Sequence, residues 1–151
     1  MTHAFEITHQ SRKIISELLQ NLSLEQLNKI PEGFNNNIIW NIGHIIVVQQ
    51  MLVYLLSDLP MLVSDEMVQK YKRGTKPEQD VTPSEIAEIQ SLLFETITKT
   101  ELDYNSSTFK SYKEFTTKTG FNLKNVEDAL AFNYYHEAIH TGVIMGIKKF
   151  V

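Results

Sequence analysis

From Asn125 to Lys149 the chain reads NVEDALAFNYYHEAIHTGVIMGIKK, and the fold turns on how this stretch is read. At about 100° per residue, Ala129, Phe132, His136, His140, Val143 and Ile147 fall in one stripe, the signature of an amphipathic helix rather than a strand. Glu127 and Asp128 lie in its first turn and Lys148 and Lys149 in its last, as the helix dipole favours. His136 and His140 share one face, about 6 Å apart along the axis, so both rings can converge on a single metal ion. By the same arithmetic Glu137 projects about 100° from the centre of the stripe and is expected on the flank of the helix.

Working outward, three more long segments carry helical periodicity. The first runs from about Thr2 to Asn21. Ser23-Leu24-Glu25-Gln26 has capping-box spacing and opens a short helical piece that ends before Pro31. The second long helix should start within Asn35-Asn36-Asn37 and reach about Ser57, closed by Pro60. A short helix is expected over Asp65 to Tyr71. Thr82-Pro83-Ser84-Glu85 then starts the third long helix, which should reach about Asp103. Asn105 to Leu123 reads as a long connection with short extended pieces at Phe109 and Phe115. This pattern predicts an all-α protein, a four-helix bundle occupying residues 1–151 as one domain.

The bulk properties narrow the function. The 151 residues carry a formal net charge of -4, which supplies no basic footprint for nucleic acid. One local basic group, Lys70, Lys72, Arg73 and Lys76 around Gly74, is a solvated loop or a contact for an anionic substrate. With no cysteine in the chain, disulfides, thiolate ligands and a protein-borne thiol nucleophile are excluded, and any thiol chemistry needs an external thiol. The N-terminus lacks the apolar run of a signal peptide. Ile38 to Val63 is interrupted by Asn41, His44, Gln49, Gln50 and Asp58, which suits a core helix better than a membrane span. The expectation is a cytoplasmic protein with a small-molecule substrate and no membrane partner.

On the second long helix, the stripe that contains Asn37, Trp40, Asn41, Val48, Met51 and Leu55 also contains His44. Facing helices of a bundle can supply ligands to one core site, so His44 completes a set with His136 and His140. Three neutral imidazoles leave a fourth position open, as in a catalytic rather than a structural zinc site. A lone inward histidine is more often a hydrogen-bonded core residue. Three on one core surface are harder to explain without a shared partner, because an unpaired buried polar group costs about 1–3 kcal/mol. The spelling His136-Glu137-Ala138-Ile139-His140 also matches the HExxH of zinc proteases, but Thr141 to Val151 contain no His, Asp or Glu to serve as a downstream third ligand. His3 and His9, near the terminus, are expected to face solvent.

Phe34-Asn35-Asn36-Asn37-Ile38-Ile39-Trp40-Asn41-Ile42-Gly43-His44, together with His136-xxx-His140-Thr141-Gly142, resembles the DinB-like (YfiT-like) metalloenzymes. The similarity extends over most of the chain and takes in Leu24-Glu25-Gln26-Leu27 and Thr82-Pro83-Ser84-Glu85. The resemblance implies an up-down-down-up four-helix bundle, a divalent metal held by His44, His136 and His140, a low-molecular-weight thiol as cosubstrate for S-transfer or isomerisation, and a homodimer. Zinc and nickel are the metals expected, and a bound water would serve hydrolysis instead. Asn41, Tyr134, Tyr135 and Glu137 are the candidate outer-sphere or pocket groups, with no catalytic base assigned. The chain departs from the family pattern at Val143, where a Gln is common, and at Gln49 and Gln50, where an acidic residue is common. The alternative from another class is a non-catalytic bundle acting as a binding or scaffold protein. Ordinary histidine ligands would lose metal below about pH 6.

Overall fold

Side chains that accept from free backbone amides set where the helices begin. The computed structural model describes residues 2–151, and α1 spans Thr2–Asn21. Ser23 and Gln26 form a reciprocal capping box that opens α2, Leu24–Asn28. Asn37 caps α3, Ile38–Val53, by accepting from the Trp40 amide at 2.9 Å. The Asn37 side-chain amide also donates to Asn28 O at 2.9 Å, tying the end of α2 to the start of α3. Ser64 caps α4, Asp65–Tyr71. Thr82 and Glu85 make a second capping box ahead of α5, Pro83–Asn105, and Asn125 caps α6, Val126–Ile147.

Two boundaries differ from the sequence reading. Helix α3 gives way at Tyr54 to a single 3-10 turn, Leu55–Ser57, and Asp58 takes a left-handed φ of 58°, so the chain reverses before it reaches Pro60. In the long connection only Phe115 enters a strand. There β1, Phe115–Thr116, pairs antiparallel with β2, Asn122–Leu123, beyond a turn in which Gly120 has φ +90°. Phe109 forms no strand; its ring packs edge-on against Tyr54 with centroids 5.4 Å apart.

Pairings across the bundle give the helix directions. His9 meets Glu101 at 2.9 Å and Arg12 meets Leu93 O and Thr96, so α1 and α5 run antiparallel. Gln49 donates to Thr100 and Tyr54 to Asp103, so α3 and α5 run parallel. Phe5 clusters with Val126 and Leu130 while Ile15 clusters with Ile144, so α1 and α6 are parallel. Asn41 meets His140 while Val53 belongs to the same cluster as Val126, so α3 and α6 are antiparallel. The order is therefore up-down-down-up.

The core has two apolar layers with a polar one between. Ile15, Leu19, Ile42, Ile45, Leu93 and Ile144 belong to one cluster; Phe5, Leu52, Val53, Ile97, Ala129 and Leu130 belong to the other. Between them Arg12, Thr96, Asn133 and Glu137 are buried and hydrogen-bonded, which is the condition for burying such groups at tolerable cost. Gln49 and Gln50 are also fully buried: Gln49 donates to Thr100, and Gln50 donates to Gln49 and accepts from the Leu62 amide. Ile38–Ser57 is long and apolar enough to cross a membrane, yet 83% of that window is buried by the rest of the chain.

Candidate metal centre

His44 comes from the middle of α3, and His136 and His140 from successive turns of the antiparallel α6. Their potential ligand atoms all lie within 4.8 Å of one another. Ring centroids are 4.5 Å apart for His136 and His140, 4.6 Å for His44 and His140, and 5.2 Å for His44 and His136. Trp40, one turn before His44, stacks on its ring at 4.7 Å and closes that side of the cluster.

Hydrogen bonds fix two of the three rings. His44 Nδ1 lies 2.6 Å from Tyr71 O; a carbonyl can only accept, so Nδ1 carries the proton and Nε2 keeps a free lone pair. His140 Nδ1 lies 2.8 Å from Asn41 Oδ1. The Asn41 amide donates to Asn36 Oδ1 and Asn37 O, so its oxygen faces His140, and that ring has the same tautomer. His136 differs, since its Nδ1 is buried with no hydrogen-bond partner among the described residues. A ring nitrogen left unmatched beside two imidazoles with free lone pairs belongs to a donor set that suits a divalent cation. Burial of all three rings favours the uncharged form that ligation needs. It pushes His136 down to about 3, with the like charges of His140 and His44 adding to the effect. His140 is pushed down to about 4 by burial and then by His44. His44 is also lowered by burial, against the opposing hydrogen bond to Tyr71 O, with the positive charge of Arg73 adding to the depression.

The structure corrects the expected phase of α6. Its buried positions are Val126, Ala129, Leu130, Asn133, Glu137, Ile144 and Ile147, so Glu137 belongs to the core face, and the two histidines stand at its shoulder, half-buried. Glu137 is thus neither a flank residue nor part of the centre. It is fully buried, as is Arg12, whose Nη2 reaches Glu137 Oε1 at 2.7 Å while Nη1 binds Leu93 O and Thr96. Asn133 also donates to the same carboxylate at 2.8 Å. That carboxylate is committed to the bundle.

Of the remaining candidates, Asn41 contacts the cluster directly. Tyr135 is exposed and packs on Phe121 and Phe132, and Tyr134 is half-buried with no side-chain hydrogen bond among the described residues. His9 is not free in solvent but bonded to Glu101, whereas His3 is exposed beside Glu6. Spacing does not reveal the Tyr71 carbonyl, which holds His44, nor the Arg12 guanidinium, which holds Glu137 in the bundle rather than in the centre. Arg12 still carries a signal, since it sits in the stripe of Phe5, Thr8, Ile15 and Leu19 that α1 buries. A cavity of about 590 Å³ lies between α1 and the other side of α6, against Ala138, Thr141, Gly142 and Met145. It holds none of the three clustered histidines.

An up-down-down-up bundle with three convergent neutral histidines on one helix seam defines a class of metal-binding-type helical proteins. The sequence profile of the DinB superfamily matches residues 7–144, and the chain belongs to that superfamily. A conserved protein from Enterococcus faecalis has the same fold, with a TM-score of 0.62 over 99% of this chain and 95% of that one, at 13% identity. No functionally curated protein matches the sequence.

Proposed function

We propose that the protein is a metal-dependent enzyme in which His44, His136 and His140 hold one divalent ion, zinc or nickel, for thiol-dependent S-transfer or related isomerase or hydrolase chemistry on a small molecule. The observation that carries this reading is the orphaned Nδ1 of His136 within a cluster of imidazoles that burial keeps neutral. A divalent ion held there would supply Lewis-acid activation of a thiol or a water. The chain itself binds and orients. Tyr71 O and Asn41 Oδ1 set the tautomers of His44 and His140, and Trp40 shields one face. Because the chain has no cysteine, the thiol comes from outside.

Elemental analysis of protein purified without chelator tests the ligand set, with near-stoichiometric metal expected and loss of that metal in His44→Ala and His136→Ala. Substoichiometric metal that neither substitution changes would sink the reading. Turnover is tested with a generic electrophile and a panel of small thiols. A second reading, a non-catalytic binding protein, is favoured by one observation: Glu137 is locked to Arg12, and among the described residues the grouping of potential ligands contains no carboxylate to act as a base. Full metal occupancy with no turnover would select it.

A further inference from the structure

The basic turn after α4 has no part in that reading, yet it is fastened to the centre. Thr75 Oγ1 lies 2.8 Å from Lys70 O and 2.9 Å from Lys72 O, and it accepts from Trp40 Nε1 at 3.1 Å. Trp40 in turn stacks on His44, so the turn is pinned one ring away from the cluster. Within it the Lys70 and Lys72 ammonium groups are already engaged by Glu85 and Gln69. Arg73 is exposed and makes no such bond among the described residues, and its charge acts on His44.

The opposite end is aromatic. Phe132, one turn before His136, stacks on that ring at 6.0 Å, and Phe121 and Tyr135 pack around Phe132 at 5.2 and 5.9 Å. Phe121 and Tyr135 remain 44% and 45% exposed, large apolar surfaces left open beside a polar cluster. Because α3 and α6 run antiparallel, a turn back from His44 and a turn back from His136 lead in opposite directions. Trp40, to which the basic turn is pinned, and Phe132, on which the aromatic wall is built, therefore lie towards opposite ends of the cluster, about 11 Å apart in backbone rise along the bundle axis.

We infer that the centre takes a small anionic amphiphile, with a carboxylate-type head paired to Arg73 and an apolar body laid against Phe132, Phe121 and Tyr135 across the three histidines. This substrate class rests on the metal-enzyme reading for its chemistry but not for its recognition, which uses residues outside the ligand set. A guanidinium pairs bidentately with a carboxylate, and the neighbouring rings supply the apolar contact.

Trp40 is the sole tryptophan, so its fluorescence reports binding at the centre directly. Zinc-treated protein, its zinc content measured, is titrated with 4-phenylbutyrate and with the uncharged 4-phenylbutanol. The acid is expected to bind about tenfold more tightly than the alcohol. Arg73→Ala should abolish that preference while leaving the alcohol's affinity unchanged. Phe121→Ala should weaken both ligands by a similar factor of about three. Equal affinities in the native protein, no saturable change with either ligand, or a preference that survives Arg73→Ala would each overturn the inference. The last result would mean capture of the carboxylate by the metal or by another cation. Failure to take up zinc counts against the enzyme reading alone, because the same titration without metal still reads the preference and its dependence on Arg73.

Discussion

Two of the three histidines present a nitrogen to the cluster because an oxygen elsewhere has claimed the other one. Removing such an outer partner commonly lowers metal affinity ten- to a hundredfold, and Asn41→Ala should do so with little change in fold, as a competition titration against a zinc chelator would read. The sequence alone would place the loss of metal near pH 6. Burial moves it lower: with His136 and His140 resisting protonation to about 3 and 4, affinity should stay nearly level from about pH 8 to about pH 5. A midpoint near 6.5 in the same titration would contradict the buried geometry. The linkage to stability has a definite sign. Unfolded histidines protonate near 6.5, so between there and the depressed folded values the unfolded chain binds more protons. Apoprotein stability is thus complete above about pH 6.5 and is lost as pH falls through about 4 to about 3, which urea midpoints across that range would reveal. At this scale the sequence was informative wherever side-chain spacing carried the signal. His136 and His140 announce themselves at i, i+4, and Asn41 shares the stripe of His44. Tyr71 was illegible because it acts through its carbonyl, a group that every residue possesses.

Helix α6 owes its rotational setting to the Arg12 and Glu137 pair, with both side chains at 0% exposure. Breaking a buried pair strands the remaining charge, so Glu137→Ala should cost about 3–5 kcal/mol in urea unfolding, and Arg12→Met with Glu137→Leu should recover much of that loss. A general base would instead give a large fall in turnover with stability intact. Helical periodicity centred on the histidines gives the wrong phase for α6, because His136 and His140 stand at the edge of its buried face rather than in the middle. The complementary charges at Arg12 on α1 and Glu137 on α6 were the clue that the face lay further round. Gly43 offers a second test at this scale. A Cβ there would come within 2.6–2.7 Å of the Tyr71 ring, so the close approach of α3 and α4 requires glycine. Gly43→Ala should cost about 1–3 kcal/mol by overpacking and, by shifting Tyr71, weaken metal binding as well. At Gly142 and Gly146 an added Cβ meets nothing within 4 Å, so alanine there should be neutral or stabilising by up to about 1 kcal/mol.

The whole bundle gathers its ligands from two helices, so metal occupancy and global stability should be linked. Zinc held at about 100 times its dissociation constant adds about 2.7 kcal/mol to the folded state. Thermal unfolding should therefore show a clear rise in Tm on metal addition, reversed by chelator and absent in His44→Ala. Helix count and most boundaries were legible because caps at Ser23, Asn37, Thr82 and Asn125 are local chemistry. Helix order was not derivable from periodicity, since it depends on which pairs meet across the bundle, as Gln49 with Thr100 and Asn41 with His140 do. Those long spans also bear on how the protein is made. During synthesis His44 emerges long before His136 and His140, and the contact of Asn41 with His140 bridges 99 positions. A nascent chain therefore cannot assemble the centre until α6 has left the ribosome and docked, so the three histidines meet only after that helix is made.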